Sequence, residues 1–263
     1  TQVGTAITLH INTENEEFLD DWKIQTTLKR FCDFMPYLIT VKDEDKITEK
    51  KWVEGKEVEV AAEPLKVNDT IPLWKKDPKE IKEEEYNEFF HKLFPGDAEP
   101  LFHVHLKIDH PFTLEGILYF PKINPAKPFH DNNIRLYCKQ VFVSDNVKNI
   151  IPEFLSLLKG AIDSTDIPLN VSRSSLQGDP NIKKIANYVV KKVADELKKF
   201  VKQDRAKYES IWEDIGLFVK YGCVSDTKFD EQMREFVIFK NSEGKYSTLE
   251  EYRQSIPENY KEK

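Results

Sequence analysis

The chain has 263 residues, 40% hydrophobic and 32% charged, with a net charge of −7 from 46 acids and 39 bases. This composition excludes a disordered chain, and no run approaches the 18 consecutive apolar residues of a membrane-spanning helix. The acidic balance gives no general attraction to nucleic acid or to an anionic membrane, and length alone admits one large domain or two ordinary ones.

Cys32, Cys138 and Cys223 are odd in number and far apart. They form no CxxC pair, which argues for a reducing compartment, expected to be cytoplasmic, and against a disulfide framework or a structural zinc. The nine glycines never cluster into GxGxxG, GxxxxGK[ST] or GxSxG. Self-contained nucleotide sites and the usual serine hydrolases are therefore excluded. The chain opens on Thr1, without an initiator methionine or the start of a signal peptide, and is expected to be a piece of a longer protein.

In chain order, Thr5 to Ile11 alternates, with Ile7, Leu9 and Ile11 on one side, and predicts a half-buried strand. Asn15 with Glu16 and Glu17 predicts a helix start, and Phe18, Trp22, Leu28 and Phe31 carry its apolar spacing through Phe34. Pro36 to Val41 reads as a second strand. Residues 42 to 68 are charged and irregular and read as a linker with one short strand near Val58 to Ala61. Asp77-Pro78 predicts a cap and first-turn proline. The acidic helix that follows has Glu83 to Glu85 in its first turn and Tyr86, Phe89, Phe90 and Leu93 on its apolar face.

Three strands are expected next, Leu101 to Ile108, Thr113 to Phe120 and Ile134 to Val143, the first two as antiparallel neighbours. Pro152 predicts a helix ending near Gly160, and Asp163 to Leu169 a loop. Asp179-Pro180 starts a long helix with the stripe Ile182, Ile185, Val189, Val193, Leu197 and Phe200. Ile211, Trp212, Ile215, Phe218 and Val219 mark another helix, and a third begins near Asp226. No strand-rich segment is expected between these helices and Lys263. The fold class is α/β: an α/β/α layered domain with a mixed sheet, followed by a helical extension.

Four constellations invite chemistry. His103-Val104-His105 sets two imidazoles on one strand face, with His110 close by, but no cysteine or carboxylate pair at ligand spacing joins them. A polar strand face, under a helix or in water, is the preferred reading, and no metal site is assigned. The acids between Glu80 and Glu88 lie mostly opposite the aromatic face, as a solvated helix side does. Lys183, Lys184, Lys191, Lys192, Lys198, Lys199 and Lys202 mark the water side of the long helix, with none of the interleaved arginines or aromatics that nucleic acid asks for. Trp212, Phe218 and Tyr221 read as core. The fourth, Ile167 to Gln177, gathers hydroxyls, amides and Arg173, a side chain suited to a terminal phosphate. Its composition alone fits an ordinary polar loop capping two helices better.

That segment, Asp166-Ile167-Pro168-Leu169-Asn170-Val171-Ser172-Arg173, resembles the catalytic loop of the ninety-kilodalton heat-shock protein family. Further matches follow in the family's order. They are Gly4 to His10 with Glu17-Phe18-Leu19, Leu73-Trp74 with Asp77-Pro78, Glu84-Glu85-Tyr86 with Phe89-Phe90, Asn133 to Tyr137 with Val141-Phe142-Val143, and Ile151 to Leu155. The resemblance implies an ATP-dependent molecular chaperone acting on client proteins. It implies that Arg173 reaches the γ-phosphate of ATP held with Mg by the N-terminal ATPase domain, with Gln177 as its partner and Asn170 in the same loop. Phe129, in Lys127-Pro128-Phe129, resembles an aromatic residue facing that domain.

By the same resemblance, residues 1–45 are expected to be the strand-helix-strand end of the N-terminal ATPase domain and 46–68 a charged linker. Residues 69–180 are then the large α/β/α part of the middle domain and 181–263 its helical part, with its last small α/β unit missing. The family's nucleotide-pocket motifs and its C-terminal dimerisation domain have no counterpart in these residues. The chain alone is expected to bind no cofactor and to hydrolyse no ATP, and homodimerisation is expected only through the absent domain. No nucleic acid and no membrane are expected as partners. A different class of function also fits the residues: a non-catalytic binding module whose basic helix and loop hold an acidic or phosphorylated partner.

Overall fold

A computed structural model describes residues 4–53, 55–122, 134–145, 151–167 and 180–257. They form two compact units, one of residues 1–72 with 140–142, the other of 73–139 with 143–263.

In the first unit, residues 4–12 are not a strand, and Ile7 and Leu9 are 81% and 77% exposed. The alternation of Thr5 to Ile11 is present, but a strand exists only where another strand accepts its hydrogen bonds. The helix also begins later than Asn15. A 3₁₀ stretch, Thr13–Leu19, comes first, and α1 spans Asp21–Cys32 with the Asp20 carboxylate accepting from the Lys23 amide at 2.9 Å. An aspartate that meets the N3 amide is the stronger start signal. The strand expected over Pro36 to Val41 shrinks to β1, Thr40–Val41.

The charged stretch read as a linker holds a hairpin, β2 (Thr48–Val53) and β3 (Lys56–Ala61), before β4 (Leu65–Lys66) pairs with β1. Gly55, at φ +79°, supplies the left-handed position of the hairpin turn. The buried Asn68 ties the unit together. Its oxygen accepts from Ile39 N, and its amide donates to the Met35 and Tyr37 carbonyls, each at 2.8 Å. Gln140 belongs here too and donates to the carbonyls of Phe34 and Thr70, at 2.7 and 2.9 Å.

The second unit is built on a five-stranded sheet. Asp77 caps only a turn, through Lys79 N at 3.0 Å. The helix α2 starts at Glu83 and ends at Leu93, five residues past the expected proline, with Glu85 accepting from the Lys82 amide. Strands β5 (Phe102–Ile108) and β6 (Leu114–Phe120) are antiparallel neighbours, as expected. The third expected strand is two: β7 (Ile134–Cys138) and β8 (Val141–Ser144), parted by Lys139 and Gln140 at positive φ. The helix expected from Pro152 is a 3₁₀ turn, Glu153–Leu157. Residues expected as helix end and loop form β9, Lys159–Asp163. The sheet order is β5-β6-β9-β7-β8, with β9 antiparallel to β6 and parallel to β7, so the sheet is mixed.

Alternation along the strands sorts the sheet's two faces. Val104, Leu106, Leu114, Leu118, Phe120, Leu136 and Ile162 join the core under the C-terminal helices. On the other face Tyr119 donates to the Tyr86 carbonyl of α2 at 2.8 Å, and Tyr137 packs against Trp74. Tyr86, Phe89, Phe90 and Leu93 are all buried there, as the spacing predicts.

The helices α3 (Pro180–Gln203), α4 (Arg205–Ser210), α5 (Trp212–Ser225) and α6 (Thr227–Met233) follow. Five of the six stripe residues of α3 are buried and Phe200 is partly so. Asp226 caps α6 at its expected start. Tyr221, expected in the core, is exposed, one position outside the buried face of α5. A strand pair does follow the helices, β10 (Ile238–Lys240) with β11 (Tyr246–Thr248), and α7 (Leu249–Ser255) closes the described chain.

Candidate functional site at the root of the arginine segment

Asn170, Arg173 and Gln177 lie outside the described residues, as does Phe129. The structure describes the root from which the arginine segment departs. Strands β7 and β9 are adjacent and parallel, with Tyr137 opposite Asp163. The segment therefore leaves from the carboxyl ends of parallel strands, where open α/β sheets bring functional loops together.

At that root the chain is tied down residue by residue. The Ser164 amide donates to the Tyr137 carbonyl at 3.1 Å, extending the ladder past β9. The Ser164 hydroxyl donates to the Thr113 carbonyl at 2.6 Å and accepts from the Asp166 amide at 3.2 Å. The Asp166 carboxylate accepts from both the amide and the hydroxyl of Thr113, each at 2.8 Å, and the hydroxyls of Thr113 and Thr165 touch. The two Thr113 hydrogen bonds hold the Asp166 carboxyl below its ordinary pKa, because they favour the charged form. Ile167 is then buried at 1% exposure in the same core that receives Ile182 and Ile185 of α3. Both ends of the segment are thus fixed to one core.

This root is not itself an anion site. Its hydroxyls are engaged with Thr113 and Asp166, and Asp166 is negative. None of this cluster was legible in the sequence, since Thr113 and Asp166 are 53 residues apart.

The histidine pair lies under α2, not in water. His105 Nδ1 is 2.8 Å from the Tyr86 hydroxyl and Nε2 is 3.3 Å from the Trp74 carbonyl. His103 stacks on the Tyr86 ring at 3.6 Å and pairs with Glu83 at 3.4 Å. Burial pushes the His105 pKa down to about 4 and lowers that of His103, while Tyr86 is pushed up to about 12. Among the described residues no group of three or more His, Cys, Asp or Glu side chains is arranged to hold a metal ion. On α3, Lys192 and Lys199 pair with Glu196, and Lys198 with Asp195. No helix among the described residues is long and apolar enough to cross a membrane.

Comparison with known proteins adds a family. A family model described as "Hsp90 protein" matches residues 40–262. The chain is 45% identical over 260 residues to the chaperone protein HtpG of Bacteroides fragilis strain YCH46, covering 99% of this chain and 37% of that protein. It is 46% identical over 252 residues to HtpG of Porphyromonas gingivalis strain ATCC 33277, covering 95% and 36%. It is 33% identical over 271 residues to HtpG of Oceanobacillus iheyensis, covering 98% and 43%. The chain therefore spans well under half the length of these relatives.

Proposed function

The chain belongs to the Hsp90 protein family, and from that premise we propose that it is the part of an ATP-dependent chaperone that completes the nucleotide site from outside. In this reading residues 1–45 end the nucleotide-binding domain, 46–68 link it onward, and 69–263 belong to the middle domain, in a cytoplasmic protein that dimerises elsewhere in its chain. Client proteins meet part of this surface.

ATP with Mg supplies the phosphoryl group and its metal when bound. The role of this chain's own residues is positional and electrostatic. Arg173 presents a fixed positive charge and a forked set of donors to the γ-phosphate, an effect of about 10³–10⁵ in rate for arginine fingers. Gln177 orients that guanidinium, and Asn170 offers an amide to the same oxygens. Because the arginine reaches phosphate only when the domains close, the slow step is conformational.

The observation that carries the reading is the match to HtpG proteins over 95–99% of this chain, together with a segment anchored at the carboxyl ends of β7 and β9. The test is steady-state ATP turnover of the full-length protein carrying Arg173→Ala. Turnover should fall by at least a hundredfold or so, with nucleotide affinity in equilibrium titration nearly unchanged. Parental turnover in that variant refutes the assignment.

A further inference from the structure

We infer that residues 65–70 are a releasable strap with Asn68 as its latch. Fastened, the strap closes the charged stretch into a loop of fixed span. Unfastened, it lengthens the chain ahead of Leu73 for the domain motion of the ATP cycle. That motion is the one proposed above, and the role of the strap in it rests on that reading.

The strap lies back along residues 33–41 of the same unit. The Asp69 amide donates to the Asp33 carbonyl at 2.9 Å and the Val67 amide to the Ile39 carbonyl at 3.0 Å. Thr40 and Val41 pair with Lys66 and Leu65. Between these bonds the Asn68 side chain uses both of its chemistries. Its oxygen accepts from the Ile39 amide while its NH₂ group donates to the Met35 and Tyr37 carbonyls. A carboxylate there has the acceptor without the donor, and an alanine has neither. Gln140 fastens both ends, donating to the carbonyls of Phe34 and Thr70.

Fastening fixes length. Ile39 and Asn68 are 29 residues apart in sequence and share a hydrogen bond. Val41 and Leu65 stand one strand spacing apart, about 5 Å. The chain between them, drawn out, reaches on the order of 80 Å. While the strap holds, that chain is folded on itself: the β2–β3 ladder is extended by the Ala62 amide donating to the Ile47 carbonyl at 2.9 Å.

What holds the strap is thin and mostly polar. Among residues 65–70 only Val67 and Asn68 are buried, and Leu65 is exposed, as are Tyr37 and Leu38 on the segment it lies along. Hydrogen bonds that water can replace contribute little net, and segments with few buried apolar contacts open first. The contrast within the protein is β6, buried at every position but Glu115.

The experiment uses the full-length protein. Hydrogen exchange is followed at the Val67 and Asp69 amides, which bond backbone carbonyls and so report the strap rather than the latch itself. Ile117 and Leu118 of β6 are the reference. In the parent, Val67 and Asp69 should exchange at one common rate, at least about a hundredfold faster than the β6 amides. Asn68→Ala and Gln140→Ala should each quicken both strap amides about tenfold and leave β6 unchanged. A second arm locks the strap. Thr40 and Lys66, both exposed, face each other between the bonds of the ladder, about 4.5 Å apart at Cα, a spacing that a disulfide spans. In the Thr40→Cys, Lys66→Cys protein, oxidation should lower ATP turnover about threefold or more, and reduction should restore it. Oxidised Thr40→Cys alone is the control.

Strap amides as slow as those of β6 overturn the inference, since a strap that stays shut releases no chain. Unchanged exchange in both Asn68→Ala and Gln140→Ala removes the latch. Parental turnover in the oxidised, locked protein overturns the part assigned to the strap in the cycle. If Arg173→Ala turns over normally, the catalytic reading fails, and the exchange results decide the strap without it.

Discussion

Replacing Gly160 by alanine places a methyl group where the neighbouring strand already is. A Cβ on Gly160 would lie 2.0 Å from the Ile117 carbonyl oxygen and 3.1 Å from Leu118 Cα, both backbone atoms of β6. A flexible side chain would swing aside, but β6 is held between β5 and β9 and cannot. Gly160 also has φ +147°, where a residue with a Cβ is strained whatever the space around it. Overpacking costs about 1–3 kcal/mol and a sparsely populated backbone about 1–3 kcal/mol more. The sum is about 2–6 kcal/mol, a large part of the roughly 5–15 kcal/mol that holds a domain folded. Urea unfolding of the 263-residue chain by far-ultraviolet circular dichroism should show the midpoint falling by about 1–2 M. Gly96→Ala is the control. It has φ +83° but nothing within 4 Å of the added methyl, so it isolates the backbone cost of about 1–2 kcal/mol. If the two variants unfold within about 0.5 kcal/mol of each other, the close approach of β9 to β6 contributes nothing and the argument fails.

His105 makes the second unit's stability depend on pH. Its folded pKa of about 4 lies below the ordinary 6.5, so the unfolded chain binds the proton more tightly. The stabilisation is therefore complete above pH 6.5 and is lost as pH falls toward 4. The loss is about 2–3 kcal/mol by linkage. Chemical unfolding at pH 7 and pH 4.5 should show a smaller difference in His105→Gln than in the parent, and an equal difference excludes His105 as the source. Gln177→Ala in the full-length protein should lower ATP turnover in the same direction as Arg173→Ala but by less, because an amide carries no full charge; a greater loss than that of Arg173→Ala reverses the assigned roles. The 263-residue chain alone should show no ATP binding by calorimetry, and micromolar affinity there would place a nucleotide pocket within it.

Where a segment's burial follows from its own spacing, sequence reading and structure agree. Tyr86, Phe89, Phe90 and Leu93 on α2, the α3 stripe, the β5–β6 pair with its short turn and the Asp226 cap are local patterns, each completed within a few residues. The candidate site was legible only as a motif, Asp166 to Arg173, since an arginine among hydroxyls and amides has no periodicity to announce its role. Elements that depend on distant partners read wrongly. Lys159–Asp163 has no apolar alternation because consecutive residues from Gly160 to Asp163 are all buried in a strand paired on both edges, and Gly160 near its start looks like a helix end until Ile117 is brought against it. Thr5 to Ile11 has the alternation but no strand partner among the described residues, so the pattern yields no strand there. Thr113 and Asp166 are ordinary polar residues until antiparallel pairing sets the start of β6 beside the end of β9. Periodicity sets which face of an element is apolar; which strand lies beside which, and so which polar groups meet at the root of the arginine segment, is decided by contacts between residues far apart in the chain.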